Sequence, residues 1–195
     1  MGLARKQSGL GTCSVVSFGH GKVGAAGRGG AVLSDDVELL ERVRAISSAG
    51  HEHEARMEAV AARVLGALDG LEAEVNGRLR TAGEYRRRLR QEGVTHIGKV
   101  LPVCKYSVLL RDRAARDKVT RGLLERGIEA SNLYPPLTRW FPGVEGEEYE
   151  GAKGLYDRIV NLPLWGEGGM SETAQREKWM EGTVEMVEKV FAEVR

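Results

Sequence analysis

Between Met57 and Leu71 apolar residues recur mostly at three- and four-residue steps: Met57, Val60, Ala61, Val64, Leu65, Leu68 and Leu71. That spacing is the stripe of an amphipathic helix. Its continuation through Leu79, Tyr85 and Leu89 predicts one long helix, or two with a kink near Gly77, ending at Gly93. A helix of this length joins domains or packs on a partner. Upstream, Cys13-Ser-Val-Val-Ser-Phe18 is uncharged and β-branched, which predicts a short buried strand, and Gly30-Ala-Val-Leu-Ser34 predicts a second. Ser34-Asp35-Asp36 is a helix start with acidic residues where the macrodipole favours them. Val37, Leu40, Val43 and Ile46 give that helix one apolar stripe, and Gly50 stops it.

Downstream the pattern is that of a small α/β unit. Tyr106-Ser-Val-Leu-Leu110 predicts a strand and Ala114 to Arg126 a helix stopped by Gly127. Ile128-Glu-Ala-Ser131 predicts a strand entering the turn-rich Tyr134-Pro-Pro-Leu-Thr-Arg139, and Ile159-Val-Asn-Leu-Pro163 a short extended piece. Ser171-Glu172 opens a final helix carrying Trp179, Val187, Val190 and Phe191. The chain has no internal repeat.

Composition narrows the classes of function. A chain of 195 residues holds one large domain or two small ones, and 42% hydrophobic content allows a true core. With 29 basic against 28 acidic residues there is no electrostatic footprint for nucleic acid or an anionic membrane. Arg86, Arg87 and Arg88 share a helical segment with Glu84 and Glu92, which reads as a solvated face. Cys13 and Cys104 lie far apart, without a CxxC pair, so free thiols in a reducing compartment are expected. No apolar run approaches the ~20 residues of a membrane span, and the start of the chain lacks the apolar core of a signal peptide. A cytoplasmic protein is expected.

The chemistry concentrates in residues 17–36, where six glycines surround Lys22. A phosphate-cradling loop needs a glycine five residues before the Gly-Lys pair and a Ser or Thr after the lysine. Here those positions hold Val16 and Val23, so that reading fails. A dinucleotide fingerprint should open a helix directly after its glycines. This stretch runs through Gly29-Gly30 into an apolar strand instead. What the spacing does suit is a lysine presented to a carbonyl compound, since an amine is a useful nucleophile when fixed and desolvated. Glycines leave room for a flat cofactor, and Ser17 offers a hydroxyl five residues upstream. The competing reading of the spacing alone is a solvated loop lysine.

Ser17-Phe18-Gly19-His20-Gly21-Lys22, followed by Gly27-Arg28-Gly29-Gly30-Ala31-Val32 and Asp35-Asp36, resembles the lysine block of DegT/DnrJ-type sugar aminotransferases. These are pyridoxal-phosphate enzymes of the aspartate-aminotransferase fold. The likeness continues in Arg56-Met57, in Leu123-Leu-Glu-Arg-Gly-Ile-Glu129 to Tyr134-Pro-Pro-Leu137, and in Asn161-Leu-Pro-Leu164. The resemblance implies an α/β fold that is the C-terminal half of a fold-type-I transferase. Residues 1–56 would be the end of the large cofactor-binding domain, 57–93 a long linking helix, and 94–195 a small C-terminal α/β domain. It implies pyridoxal 5'-phosphate as cofactor, Lys22 as the catalytic Schiff-base lysine and Ser17 as a phosphate ligand. His20 is a candidate to stack near the cofactor or shuttle protons, beside its reading as a polar loop histidine.

Three departures stand against the family pattern. Glu54 occupies the place of an Asn that reaches the cofactor phosphate across a dimer interface, and Thr138 that of a histidine after Pro-Leu. The lysine, near mid-chain in full-length members, is at position 22. The half that brings the phosphate turn, the aromatic lid and the ring-nitrogen aspartate is then expected from a second protein, in a heteromer that two-fold symmetry would double to a heterotetramer. The function so implied is amino transfer to a keto-sugar or related cyclic ketone, by the lysine-bearing subunit of a split enzyme. The alternatives are a non-catalytic stabilising or regulatory subunit, and a decarboxylase or lyase subunit using the same cofactor. His51 and His53 beside Glu52 and Glu54 read as an exposed charged loop ahead of a metal site. Trp140-Phe141 reads as a domain edge ahead of a substrate pocket, and Arg28 as a weaker candidate for an anionic substrate.

Overall fold

The computed structural model describes residues 11–19, 21–27, 29–47, 53–97, 104–132, 134–136, 150–164 and 173–194, with the backbone alone for 53–56 and 173–177. The chain divides into two compact units, Met1–Glu74 and Val75–Arg195.

In the first unit, β1 (Ser14–Ser17) and β2 (Gly30–Leu33) form an antiparallel hairpin in which Ser14 faces Leu33 and Ser17 faces Gly30. Gly30 is dictated by this pairing: a Cβ there would stand 2.7 Å from the Val16 carbonyl oxygen. Helix α1 (Val37–Ser47) starts as its polar residues require, the Leu39 N–H donating to Asp36 Oδ1 at 3.0 Å. Its stripe buries nothing: Val37 is 66% exposed and Ile46 79%. Helix α2 (His53–Asp69) is followed after Gly70 by α3 (Leu71–Arg88). The predicted long element is therefore two helices, but the break is at Gly70. Gly77 lies buried inside α3, its carbonyl accepting from the Thr81 hydroxyl at 3.1 Å. The α2 stripe is wider than what this unit covers. Val60 and Val64 are half-buried, whereas Met57, Leu65 and Leu68 stay exposed. Strand β1, expected to be buried, leaves Val15 exposed as well. Among the described residues of this unit Ala26 is the one buried apolar side chain.

The second unit has a conventional core. Strands β3 (Val94–His96), β4 (Lys105–Leu110) and β5 (Ile159–Pro163) make an antiparallel sheet in the order β3-β4-β5. Along β4 the period of two turns Tyr106, Val108 and Leu110 inward. They meet Val160 and Leu162 of β5, Tyr85 of α3, Val119 and Leu123 of α4 (Arg113–Glu125) and Val184, Val187 and Phe191 of α6 (Thr173–Ala192). Asp112 caps α4 by accepting from the Ala115 N–H at 2.7 Å, and Gly127, at φ 73°, ends it.

Residues 128–131, expected as a strand, contribute only a bridge from Ser131 to Asn161. Asn161 makes that join: its backbone N–H and its Nδ2 both donate to the Ser131 carbonyl, at 2.8 and 3.1 Å, and its carbonyl accepts from the Ser131 N–H at 3.3 Å. Two elements carried no sequence pattern. Strand β3 is three residues long, and α5 (Glu150–Arg158) contains two glycines. Contacts made elsewhere hold α5 in place, with Arg158 Nε donating to the Leu110 carbonyl at 2.8 Å and Tyr156 lying under the Arg116 guanidinium. Among the described residues no helix is long and apolar enough to cross a membrane.

Candidate active site

The loop of residues 18–29 closes the β1–β2 hairpin and brings Ser17 and Lys22 into one local structure. Its base is fastened by the Phe18 N–H donating to the Gly29 carbonyl and the Ala26 N–H to the Phe18 carbonyl, both at 2.9 Å. Within it the chain turns twice, the Lys22 N–H donating to the Gly19 carbonyl and the Ala25 N–H to the Lys22 carbonyl, both at 3.2 Å. Gly29 has φ 107°, and a Cβ on it would fall 2.6 Å from Val60 Cγ1. Only glycine accepts that dihedral and that approach of α2 together.

Ser17 is the last residue of β1. Its Oγ accepts from the Gly19 N–H at 3.3 Å, and a hydroxyl accepting in this way keeps its own hydrogen to donate. Lys22 is half-buried at the centre of the loop. A hydroxyl donor and an amine are thereby held on one short, glycine-shaped scaffold. One further contact was not foreshadowed by any motif: the Gly24 N–H donates to Glu74 Oε2 at 3.0 Å, joining the loop to the first turn of α3.

Several sequence candidates lie outside the described residues: His20, Arg28, His51, the side chains of His53 and Glu54, Thr138, Trp140 and Phe141. Cys13 and Cys104 are both free thiols. Among the described residues no group of three His, Cys, Asp or Glu side chains is placed to hold a metal ion. In the second unit, His96 is satisfied on both ring nitrogens. Nε2 lies 2.9 Å from the Leu89 carbonyl and Nδ1 2.7 Å from the Tyr106 hydroxyl. The assigned tautomer is neutral, with Nε2–H donating and Nδ1 accepting from the phenol. Burial holds its pKa below the usual histidine value, helped by Arg86 and Arg90 and opposed by the Leu89 carbonyl. It is a satisfied structural histidine.

The fold is shared with known aminotransferases. It is similar to the aminotransferase TlmJ from Streptoalloteichus hindustanus, with a TM-score of 0.75 and 24% identity over 96% of this chain and 54% of that one. Spr1654 from Streptococcus pneumoniae, in its PLP form, gives a TM-score of 0.71 and 15% identity over 96% of this chain and 54% of its own. Helicobacter pylori PseC, an aminotransferase involved in the biosynthesis of pseudoaminic acid, gives 0.69 and 19% over 94% and 54%. The likeness at these identities is one of fold, and the chain spans about half the length of each. No curated protein matches it in sequence. The family model of the DegT/DnrJ/EryC1/StrS aminotransferases matches residues 3–177, and with the lysine loop inside that match the chain belongs to this family.

Proposed function

We propose that this chain is the lysine-bearing subunit of a pyridoxal-phosphate-dependent aminotransferase whose acceptor is a keto-sugar or related cyclic ketone. The observation that carries the reading is the placement of Ser17 and Lys22 on one hairpin loop, within a chain that belongs to an aminotransferase family. The donor set fits the cofactor in kind, with an amine for its aldehyde and a hydroxyl for its phosphate. It falls short in number: one hydroxyl does not balance a phosphate dianion, and residues 18–29 include no carboxylate to partner a ring nitrogen. When bound, the cofactor supplies the electron sink that makes amino transfer feasible.

The chain's own residues do the rest. Lys22 Nζ would hold the cofactor through its aldehyde carbon and, when free, would be the base that takes and returns a proton at the substrate carbon. Ser17 Oγ would donate to a phosphate oxygen. In this reading residues 1–56 are the remnant of the cofactor domain, 57–93 the link and 94–195 the small domain. A second polypeptide supplies the phosphate turn and the ring-nitrogen aspartate. Two observations support that partner: the chain spans about half of its structural relatives, and Val15, Leu33, Val37, Ile46 and Leu65 stay exposed. The two free thiols favour a cytoplasmic setting.

Co-expression with the complementary half, followed by borohydride reduction and peptide mass analysis, tests the assignment. A pyridoxyl mass on the peptide holding Lys22 is expected. Lys22→Ala should abolish turnover and leave assembly intact, because the change sits in the loop and not on the exposed apolar faces. Label on another lysine, or turnover by Lys22→Ala, refutes the role. An assembled complex with no label at all favours the non-catalytic subunit.

A further inference from the structure

The turn that follows Lys22 is held from outside by a polar contact whose geometry is specific. Gly24 is buried, with φ 69°, a conformation that glycine holds without strain. In that conformation its N–H donates to Glu74 Oε2 at 3.0 Å, across fifty residues of sequence. Leu71 closes the other side, its Cδ1 lying 3.5 Å from where a Cβ on Gly24 would stand. The Ala25 N–H returns to the Lys22 carbonyl, so residues 22–25 form one turn whose far end rests on α3. A carboxylate accepting from a backbone N–H is about twice as strong as a neutral pair.

An acidic residue in the first turn of a helix needs no further reason, since the macrodipole favours it. Glu72, exposed and two residues earlier, meets that need already. Glu74 is half-buried and reaches a different element. We propose that Glu74 is a positioning residue for Lys22: by holding the Gly24 N–H it fixes the turn from which the lysine amine is presented to the cofactor aldehyde. This rests on the reading of Lys22 given above.

The test compares, each co-expressed with the complementary half, the parent chain with Glu74→Ala, Glu74→Gln and, as a control for helix stability, Glu72→Ala. One readout is hydrogen exchange at the Gly24 amide. The other is pyridoxyl label on Lys22 after brief exposure to pyridoxal 5'-phosphate and borohydride, relative to Lys153, whose side chain is 64% exposed. Glu74→Ala is expected to lose Gly24 protection and to lower the Lys22 label, by up to about a hundredfold if the amine is displaced by ~1 Å. Glu74→Gln keeps an acceptor oxygen and should restore both, and Glu72→Ala should match the parent. Should Glu74→Ala fail to fold, Glu74→Asp retains the charge, withdraws the oxygen and is expected to change both readouts in the same direction. Unchanged Gly24 exchange or unchanged Lys22 label in the Glu74 variants overturns the proposal, as does an equal loss in Glu72→Ala. A parent complex with the complementary half that labels Lys22 no better than Lys153 removes the lysine-bearing role itself, and this proposal with it.

Discussion

Leu65 is the position where the proposed partner is most directly tested. It belongs to the α2 stripe by spacing, yet 66% of it is exposed. Full burial of a leucine side chain is worth about 1.5–3 kcal/mol, so covering the exposed two thirds corresponds to roughly 1–2 kcal/mol. If the complementary half covers this face, Leu65→Ala should weaken association about 5- to 30-fold, at 1.4 kcal/mol per tenfold. Leu65→Asp should weaken it further, because the carboxylate would be desolvated without a partner, at a cost on the order of several kcal/mol. The isolated chain should hardly notice either change, since substitutions at exposed positions stay within about 0.5 kcal/mol. Calorimetric titration against the complementary half, with urea melts of each variant alone, separates the two effects. Parent-like association by Leu65→Asp would refute the argument that the uncovered stripe is an interface. A large loss of stability in the isolated chain would refute the exposure on which it rests.

Other expectations follow from single contacts. Gly30→Ala should open the β1–β2 hairpin, since its Cβ would stand 2.7 Å from the Val16 carbonyl oxygen; lost amide protection at Val16 and Ala31, which face each other across the ladder, is the readout. Asn161→Ala removes the acceptor of the Ser107 hydroxyl and one donor to the Ser131 carbonyl, and should cost about 1–3 kcal/mol in a urea melt. His96 titrates lower folded than unfolded, so the unfolded chain binds its proton first. Stability should be level above pH ~6.5, fall as the pH drops below it, and level again once the folded imidazole is itself protonated. His96→Gln, which cannot titrate, should lose that acid limb, and an unchanged limb would place its origin elsewhere.

What the sequence made legible was what repeats locally. The β-branched run at Val15-Val16, the cap before α1 and the glycine ending α4 each act within a few residues, and the structure has them close to where the pattern put them. Ser17 and Lys22 were singled out by the resemblance of their block to the family pattern, since the glycine spacing alone left a solvated loop lysine open. Glu74 was not, because nothing in its neighbours announces a bond across fifty residues. The same holds for α5, whose glycines oppose a helix that Arg116 and the Leu110 carbonyl nevertheless secure. Periodicity predicts which face wants burial, and says nothing of whether the covering surface lies in the same chain. The α2 stripe therefore left core and interface both open, and Met57, Leu65 and Leu68 stand exposed in this chain.

That exposure bears on the chemistry as well as on assembly. An amine attacks an aldehyde well only where water is excluded and its geometry is fixed. The hairpin supplies the geometry, through Gly24, Gly29 and the two turns around Lys22, but it does so in a unit with a single buried apolar side chain among the described residues. Water exclusion must then come from whatever covers Val15, Leu33 and the outer side of α2. A surface that binds the folded hairpin and not the unfolded one also stabilises it by mass action. On the proposed reading, one association event therefore orders the lysine loop, dries it and brings the groups that Ser17 cannot supply. Competence for catalysis and stability of the lysine-bearing unit would rise together with partner concentration, whereas the second unit, with Tyr85, Leu123, Leu162 and Val187 fully buried, has its core already.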